Sequence, residues 1–425
     1  MRRRAARKIA YLANLFPCAI EPYVGDEIRE LRARGVQVIP CSIRRNHKKL
    51  EPELQALAAE TLCLQPLGFW LPARAAWLCF RRARLLQDFF VRIFAGGREP
   101  LGRRLRALAH TWLGACYALR IEGLEIEHIH VHHGYFGSWA AMVAARLTGA
   151  TFSLTLHGSD VLQQPAYLDL KLKHCQFCIT VSEFNRKHIL ERYHGFDPNK
   201  VAVRRLGVAV DEEYRNPTHL APPAEHEDRL VILLAVGRLH RVKDHAFLVR
   251  ACRELKNHGV KFLCLIAGEG PERPALERMI RSLDLPAEVK LLGQLSRRKL
   301  AGYYRMCDLV VLTSRSEGLP LVLMEAMAYG KLVLAPAITG IPELVEDGRN
   351  GFLYPSGSLA EFVRRVEMIR RLQSSLGPLC RQARRHVQEH FDRETNLAAV
   401  ADLFLAQLAG SAESLAYEDS VLQQI

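Results

Sequence analysis

The amino-acid sequence predicts an α/β protein of two doubly wound, Rossmann-like domains, and three features carry that prediction. Apolar strand-like runs alternate with helical patterns from Ile9 to Arg205, as in a parallel sheet built from βαβ units. A second series of the same kind starts at Leu230. Between them, Val203 to Asp228 carries Pro217, Pro222 and Pro223 among mixed charges without periodicity, as an interdomain connection does. A chain of 425 residues also exceeds what one hydrophobic core usually supports, at about 100–200 residues per domain. With a boundary near Asp211, the expected division is 1–211, 212–395 and a C-terminal helix, 396–425, that packs back on the first domain.

In chain order, KIAYLANL (Lys8 to Leu15) reads as the first strand, followed by a helix from about Tyr23 to Arg34 and the strand VQVIPCSI. The opening MRRRAARKIAYLANLF imitates a secretory signal, but its apolar stretch is short and broken by Asn14 and Pro17. HIHVHH, TFSLTLHG and CITVSE complete the strands of the first half. In the second half VILLAVGR, FLCLIAGEG, VKLLGQL, LVVLTSRSEG and LVLAPA are the strands, with an amphipathic helix after the first of them through Asn257.

One region departs from the alternation. From 67 to 120, Trp70, Trp77, Phe80, Phe89, Phe90, Phe94 and Trp112 are interleaved with arginines such as Arg74, Arg81, Arg82, Arg84, Arg103 and Arg106. Such a pattern suits in-plane helices on an anionic membrane surface. It equally suits a helical insertion packed on its own domain with a solvated basic face.

Composition narrows the field. With 49% hydrophobic and 24% charged residues, the chain is that of an ordered globular protein. The formal net charge of +14 favours an anionic partner, whether nucleic acid, phospholipid or a polyphosphate ligand. No window has the about 18 uncharged apolar residues of a spanning helix, so the chain is expected not to cross a bilayer. The 11 cysteines are scattered through apolar runs, as small buried hydrophobes in a reducing, cytoplasmic compartment are; Cys175 and Cys178 form a lone CxxC without a second pair. His128, His130 and His132 alternate along a strand and are expected to be structural, since no carboxylate or thiolate stands nearby to complete a metal site.

The strongest chemical signal is SRSEGLPLVLMEAMAYG, Ser314 to Gly330. A strand ending in a Gly-containing turn that feeds a helix presents backbone N–H groups, here over Gly318, Leu319, Pro320, Leu321 and Val322, together with the positive end of the helix dipole. That end suits a phosphate. Glu317 precedes it and can accept bonds from sugar hydroxyls, while Glu325, about two turns further on, can reach a ribose; alone, the two would pass for surface glutamates of a capped helix. In VGRLHRVKDH, Arg238 and Lys243 occupy a strand-to-helix loop where they could clamp a diphosphate or form an ordinary solvated pair. Gly268 and Gly270 of AGEGPERPAL let a base or ribose approach the backbone, or serve the turn alone. His157 follows the strand TFSLTL and projects from a strand end.

EGLPLVLMEAMAYG, GRLHRVKDH, GEGP and GIPELVEDGRNGFLY together resemble the donor domain of the family 4 retaining glycosyltransferases of GT-B fold, with the Glu-x7-Glu spacing met by Glu317 and Glu325. FPCAIEPYVGDEIRELRARGVQV, the HIHVHHGYFGS segment, LHGSD and VSEFNRKHI make the first half most similar to the exopolysaccharide and colanic-acid type. The resemblance implies two Rossmann-like domains facing a central cleft, an acceptor-side domain over 1–211 and a nucleotide-sugar domain over 212–395. It implies that Arg238 and Lys243 hold the diphosphate, Glu325 the ribose and Glu317 the transferred sugar, with His157 across the cleft near that sugar. The expected donor is a UDP-sugar rather than a GDP-sugar, with no metal and no other cofactor. The expected acceptor is a saccharide or lipid-linked saccharide, met at the inner face of the cytoplasmic membrane, with no nucleic acid partner. Where many relatives carry a Gly-Gly loop after the first strand, this sequence reads Leu15 to Pro22 without one.

Two other functions compete. An inactive basic membrane or nucleic-acid adaptor of the same fold would explain the arginines but not the joint presence of Arg238, Lys243, Glu317 and Glu325. A phosphorylase of this fold would release sugar phosphate rather than nucleoside diphosphate, and no lysine motif suited to a covalently held cofactor is seen.

Overall fold

The computed structural model describes residues 7–18, 21–46, 50, 52–96, 99–163, 165, 167–210, 230–372 and 376–422, excluding the side chains of 52–53 and 410–422. The boundary expected near Asp211, most of the proline-bearing connection, the first six residues and Ala19 and Ile20 of the loop after the first strand lie outside the described residues. The chain forms two compact units, one of Met1–Val181, Asn185–Arg204 and Leu397–Ile425, the other of Ser182–Phe184 and Arg205–Asn396.

In the first unit seven strands pair in parallel: β1 (Lys8–Leu15), β2 (Gln37–Arg44), β3 (Leu62–Cys63), β4 (His128–His132), β5 (Thr151–Leu156), β6 (Phe177–Thr180) and β7 (Val201–Val203). Their order, β3-β2-β1-β4-β5-β6-β7, reverses direction of growth between β1 and β4. The helices are α1 (Pro22–Ala33), α2 (Pro52–Glu60), α3 (Leu71–Arg81), α4 (Gln87–Phe94), α5 (Leu101–Ile121), α6 (Phe136–Thr148), α7 (Ser159–Leu162), α8 (Leu168–His174) and α9 (Glu183–Arg192). Pro22 suits the first turn of α1, where its missing N–H costs no bond. Gly149 ends α6 at a φ of 81°, the left-handed closure that glycine adopts without strain.

The second unit pairs β8 (Val231–Val236), β9 (Phe262–Ala267), β10 (Val289–Gly293), β11 (Leu309–Val311), β12 (Leu332–Pro336) and β13 (Phe352–Tyr354) in the order β10-β9-β8-β11-β12-β13, with the reversal between β8 and β11. Its helices are α10 (His245–Asn257), α11 (Arg273–Ser282), α12 (Arg297–Met306), α13 (Leu321–Ala328), α14 (Leu359–Arg371) and α15 (Gly377–His390). Helix α16 (Arg393–Leu422) then places Val400, Ala401, Phe404 and Leu408 in a core with Ile9, Tyr11, Ile28 and Phe177 of the first unit.

The 67–120 region packs on the first unit through one set of side chains and leaves another set exposed. Ala75, Leu86, Phe89, Ile93 and Ala107 are buried in the first unit's core, and the Trp112 indole donates to the Pro72 carbonyl at 3.0 Å. Phe90 packs half-buried against that core, whereas Phe69 is 87% exposed, Trp70 72%, Phe80 74% and Phe94 63%. Arg81, Arg82, Arg84 and Arg106 are exposed beside them. No helix among the described residues is long and apolar enough to cross a membrane.

The alternating histidines of β4 meet alternating hydroxyls of β5 because the strands run parallel in the register His128↔Thr151, His130↔Ser153 and His132↔Thr155. His128 bonds to the Thr151 and Ser153 hydroxyls at 2.7 and 2.6 Å, and His130 to those of Ser153 and Thr155 at 2.7 and 3.0 Å. Burial pushes the His128 imidazole down to about 3, and His130 well below its ordinary value.

An unfolded chain takes up protons on such rings below pH about 6.5, and the folded one does not. This part of the stability is therefore complete above pH about 6.5 and lost as pH falls toward the folded value. Between pH 7 and pH 5, His128 alone is expected to remove about 2 kcal/mol. Urea unfolding should show a lower midpoint at pH 5, and a smaller drop over the same interval in His128→Gln.

Candidate functional site

In open parallel sheets, ligands bind beyond the carboxyl ends of the strands where the order reverses. In the second unit that point lies at the ends of β8 and β11, and the loops leaving them are tied together. The Thr313 hydroxyl donates to the Lys243 carbonyl at 3.0 Å, and the Arg315 N–H to the Val242 carbonyl at 2.8 Å. The Arg315 guanidinium meets Asp244 at 2.7 Å. Asp244 itself caps α10 by accepting from the Phe247 N–H.

This stitching brings Lys243 to Glu317. The ammonium lies 2.5 Å from Glu317 Oε1, the Ser314 hydroxyl donates to the same oxygen at 2.5 Å, and the Glu317 N–H donates to Thr339 Oγ1 at 3.3 Å. The two side chains are 18% and 12% exposed, so the pair is shielded from most solvent. The sequence reading gave these residues separate ligands; in the structure they are each other's partner. Arg238 stands apart, exposed and without an ion pair among the described residues.

Past Glu317, the buried Gly318, Leu319 and Pro320 lead into α13. Pro320 is the residue preceding the helix and has no N–H, so the donors expected over Gly318 to Val322 come from Gly318, Leu319, Leu321 and Val322 only. On the second turn of α13, Glu325 Oε2 accepts from the Tyr304 hydroxyl of α12 at 2.8 Å. Burial raises the Glu325 carboxyl above its usual range, against the Tyr304 bond and the charge of Arg297. Tyr304 was not foreseen, since nothing local in the sequence ties it to Glu325.

Gly268 and Gly270 are required by neighbouring backbone. A Cβ at Gly268, whose φ is 153°, would lie 1.8 Å from the Gly237 carbonyl oxygen, and one at Gly270 would lie 2.3 Å from that of Leu239. The loop after β9 thus lies against the loop after β8, joined by the Leu239 N–H donating to the Glu269 carbonyl at 2.9 Å.

The reversal point of the first unit, between β1 and β4, carries a second set of groups. His132 ends β4, and His133 follows it at a φ of 70°, with its Nε2 3.0 Å from a Glu21 oxygen. His132 Nδ1 lies 2.9 Å from Nε2 of His157, which follows β5. On its other side, His132 Nε2 is 3.2 Å from Glu27 Oε2 and 3.2 Å from the Tyr11 hydroxyl, which donates to the same Glu27 oxygen. The Tyr23 ring lies over His157 at 4.6 Å between centroids. Burial, with His133, His132 and His130 nearby, holds the His157 imidazole well below its ordinary value.

Here the structure corrects the expectation that no carboxylate stands near these histidines. Helix α1 folds back over β1, so Glu27, buried, joins His130 and His132 with one ligand atom of each within 4.8 Å of the others. Each of the three side chains also has a hydrogen-bond partner within the chain.

Asp160 holds the strand ends in place. Fully buried, it accepts the N–H groups of His157 at 3.1 Å, Gly158 at 2.7 Å and Gly134 at 2.9 Å. Buried Lys171 completes the turn from the other side, donating to the Gly134 and Tyr135 carbonyls at 2.8 Å each, and burial pushes its ammonium down to about 7.

Family comparisons accord with this geometry. Residues 20–212 match the model of "Glycosyltransferase Family 4", and residues 220–386 match "Glycosyl transferases group 1". A putative colanic acid biosynthesis glycosyltransferase of Salmonella typhimurium is 30% identical over 93% of this chain and 99% of its own length. An amylovoran biosynthesis glycosyltransferase of Erwinia amylovora is 25% identical over 93% of this chain and 98% of its own. Among solved structures, Anabaena HepE in complex with UDP and glucose superposes with a TM-score of 0.67 at 18% identity, over 94% of this chain and all of that one, a GT-B fold.

The Asp160 turn is testable by itself. Asp160→Asn removes the charge and one acceptor from three buried N–H groups, and a loss of about 2–3 kcal/mol in urea unfolding is expected. A loss below about 0.5 kcal/mol would mean that the turn is held by other contacts.

Proposed function

This chain belongs to the family 4 glycosyltransferases with a group 1 domain, and we propose that it transfers a sugar with retention from a UDP-sugar to a saccharide or lipid-linked saccharide in cell-surface polysaccharide synthesis. The observation that carries the proposal is the Lys243–Glu317 pair beside the α13 N-terminus, with Glu325 on the next turns of that helix. A cation, a set of N–H donors, a loop carboxylate and a helix carboxylate suit the charged and hydroxylated parts of a nucleotide-sugar. The relatives named for colanic acid and amylovoran biosynthesis support the polysaccharide role, and the HepE complex supports UDP.

In this proposal Lys243, Arg238 and the N–H groups of Gly318, Leu319, Leu321 and Val322 stabilise the diphosphate as it leaves. Lys243 would share its donors between phosphate and Glu317, which keeps Glu317 aimed at a hydroxyl of the transferred sugar. Tyr304 already occupies Glu325 Oε2, which leaves Oε1 for a ribose hydroxyl. Gly268 and Gly270 would keep the loop after β9 close to the nucleotide. The C1–oxygen bond to the diphosphate breaks as the acceptor oxygen bonds to C1 on the same face, and the acceptor proton passes to the departing phosphate oxygen. His157, neutral in its buried setting, is proposed to contact the sugar rather than to shuttle a proton.

The arginine-bordered aromatic residues of α3 to α5 support a peripheral contact with an anionic membrane, at the inner face of the cytoplasmic membrane. There the enzyme would meet a lipid-linked acceptor.

Two measurements follow. In a thermal-shift screen against UDP, GDP, ADP and their sugar conjugates, UDP species should stabilise the protein selectively, by about 2.7 kcal/mol at about 100 times the dissociation constant. Glu325→Ala and Lys243→Ala should abolish the shift, and no response to any nucleotide would favour an inactive binding protein. In co-sedimentation, the protein should pellet with vesicles containing anionic lipid and less so at high salt, and Trp70→Ser with Phe80→Ser should release it. Binding indifferent to lipid charge would overturn the membrane contact.

A further inference from the structure

The chain Tyr11, Glu27, His132 and His157 has a direction that its hydrogen bonds determine. The Tyr11 hydroxyl has one proton, and it goes to Glu27 Oε2. The phenol keeps that proton, since burial and Glu27 raise it well above its ordinary value. His132 Nε2 therefore faces two acceptors, the Glu27 oxygen and the phenol oxygen, each at 3.2 Å. Two acceptors on that side place a His132 ring proton on Nε2, which leaves Nδ1 as the acceptor. Among the described residues, His132 Nδ1 meets His157 Nε2 at 2.9 Å, which must then be the donor.

His157 ends the chain with one ring nitrogen unspoken for. Its Nδ1 is buried and without a hydrogen-bond partner among the described residues. Such an orphan is rare in a folded interior and calls for a specific use. The ring cannot turn to satisfy it without giving up the bond to His132, and the Tyr23 and His133 rings flank it at 4.6 and 4.7 Å between centroids.

We infer that Glu27 and His132 are positioning residues that hold His157 with its proton on Nε2, leaving Nδ1 to accept a hydrogen bond from a hydroxyl of the sugar. The inference rests on the proposed contact between His157 and the sugar. It adds which atom makes the contact, which polarity the contact has, and which two buried residues set it. An acceptor nitrogen selects a hydroxyl donor, so a deoxy or fluoro sugar at the contacted position loses the bond. Glu27 acts through His132 and touches no reacting atom, and the same arrangement fixes the tautomer of metal-bound and catalytic histidines generally.

The test reads the tautomer directly. Long-range 1H–15N correlation spectra of 15N-histidine-labelled protein, with the His157 signals identified by their loss in His157→Gln, should show a protonated Nε2 and an unprotonated Nδ1 at pH 7. A proton on His157 Nδ1 would overturn the inference. In steady-state transfer, His132→Phe keeps a flat ring but removes the acceptor, and kcat should fall at least about tenfold with the donor KM within about threefold. His132→Asn offers an amide oxygen in place of Nδ1 and should recover much of that loss. If His157→Ala loses activity while His132→Phe and Glu27→Gln keep kcat within about twofold, the positioning role is wrong and the His157 contact stands. If His157→Ala is itself fully active, the sugar contact fails and the positioning role falls with it. The spectrum of the unaltered protein decides the tautomer even where a variant is too unstable to assay.

Discussion

The buried Asp160 carboxylate is the constraint on which the first unit's site depends. It gathers N–H groups from the turn after β4 and from the turn after β5, two segments that share no sequence proximity. A carboxylate in an apolar interior is tolerable only when its oxygens are filled by donors, and backbone N–H groups fill them here without spending a side chain. Lys171 answers on the carbonyl side of the same turn. With both ends of the turn held, His132, His133 and His157 have few ways to move, and their ring centroids lie 4.7–6.5 Å from one another.

The second unit solves a similar problem with an ion pair. Lys243 and Glu317 sit in loops that would otherwise be free to separate, and the Thr313 and Arg315 bonds hold them together. A pair this shielded is a modest source of stability, because desolvation offsets much of the attraction. Its consequence is geometric: a cation and a carboxylate are held in one place, just before a helix. The loops also explain why glycine stands at 268 and 270, where a side chain would collide with the adjoining turn.

Much of the molecule was legible in the sequence. The strands expected at Lys8 to Leu15, in HIHVHH, in TFSLTLHG and in VILLAVGR appear as β1, β4, β5 and β8, because alternation of apolar runs with helical patterns is a local property of the chain. The turn and helix carrying Glu317 and Glu325 were also readable, since glycine and proline mark them. The 67–120 insertion could not be resolved by pattern, because an amphipathic helix that packs and one that meets a membrane have the same periodicity.

By itself the sequence determined two α/β units, the family resemblance and the positions of Arg238, Lys243, Glu317, Glu325 and His157 at strand or helix ends. Only the tertiary structure decided who meets whom. Lys243 and Glu317 are 74 residues apart, Tyr304 and Glu325 21, and Tyr11 and His132 121. Such pairings depend on strand order and on which way each helix folds back across its sheet. Glu27 shows this most plainly, as an apparently ordinary helix glutamate that α1 carries into the interior against His132. Periodicity is a property of neighbours along the chain, whereas a buried hydrogen-bond network is a property of neighbours in space.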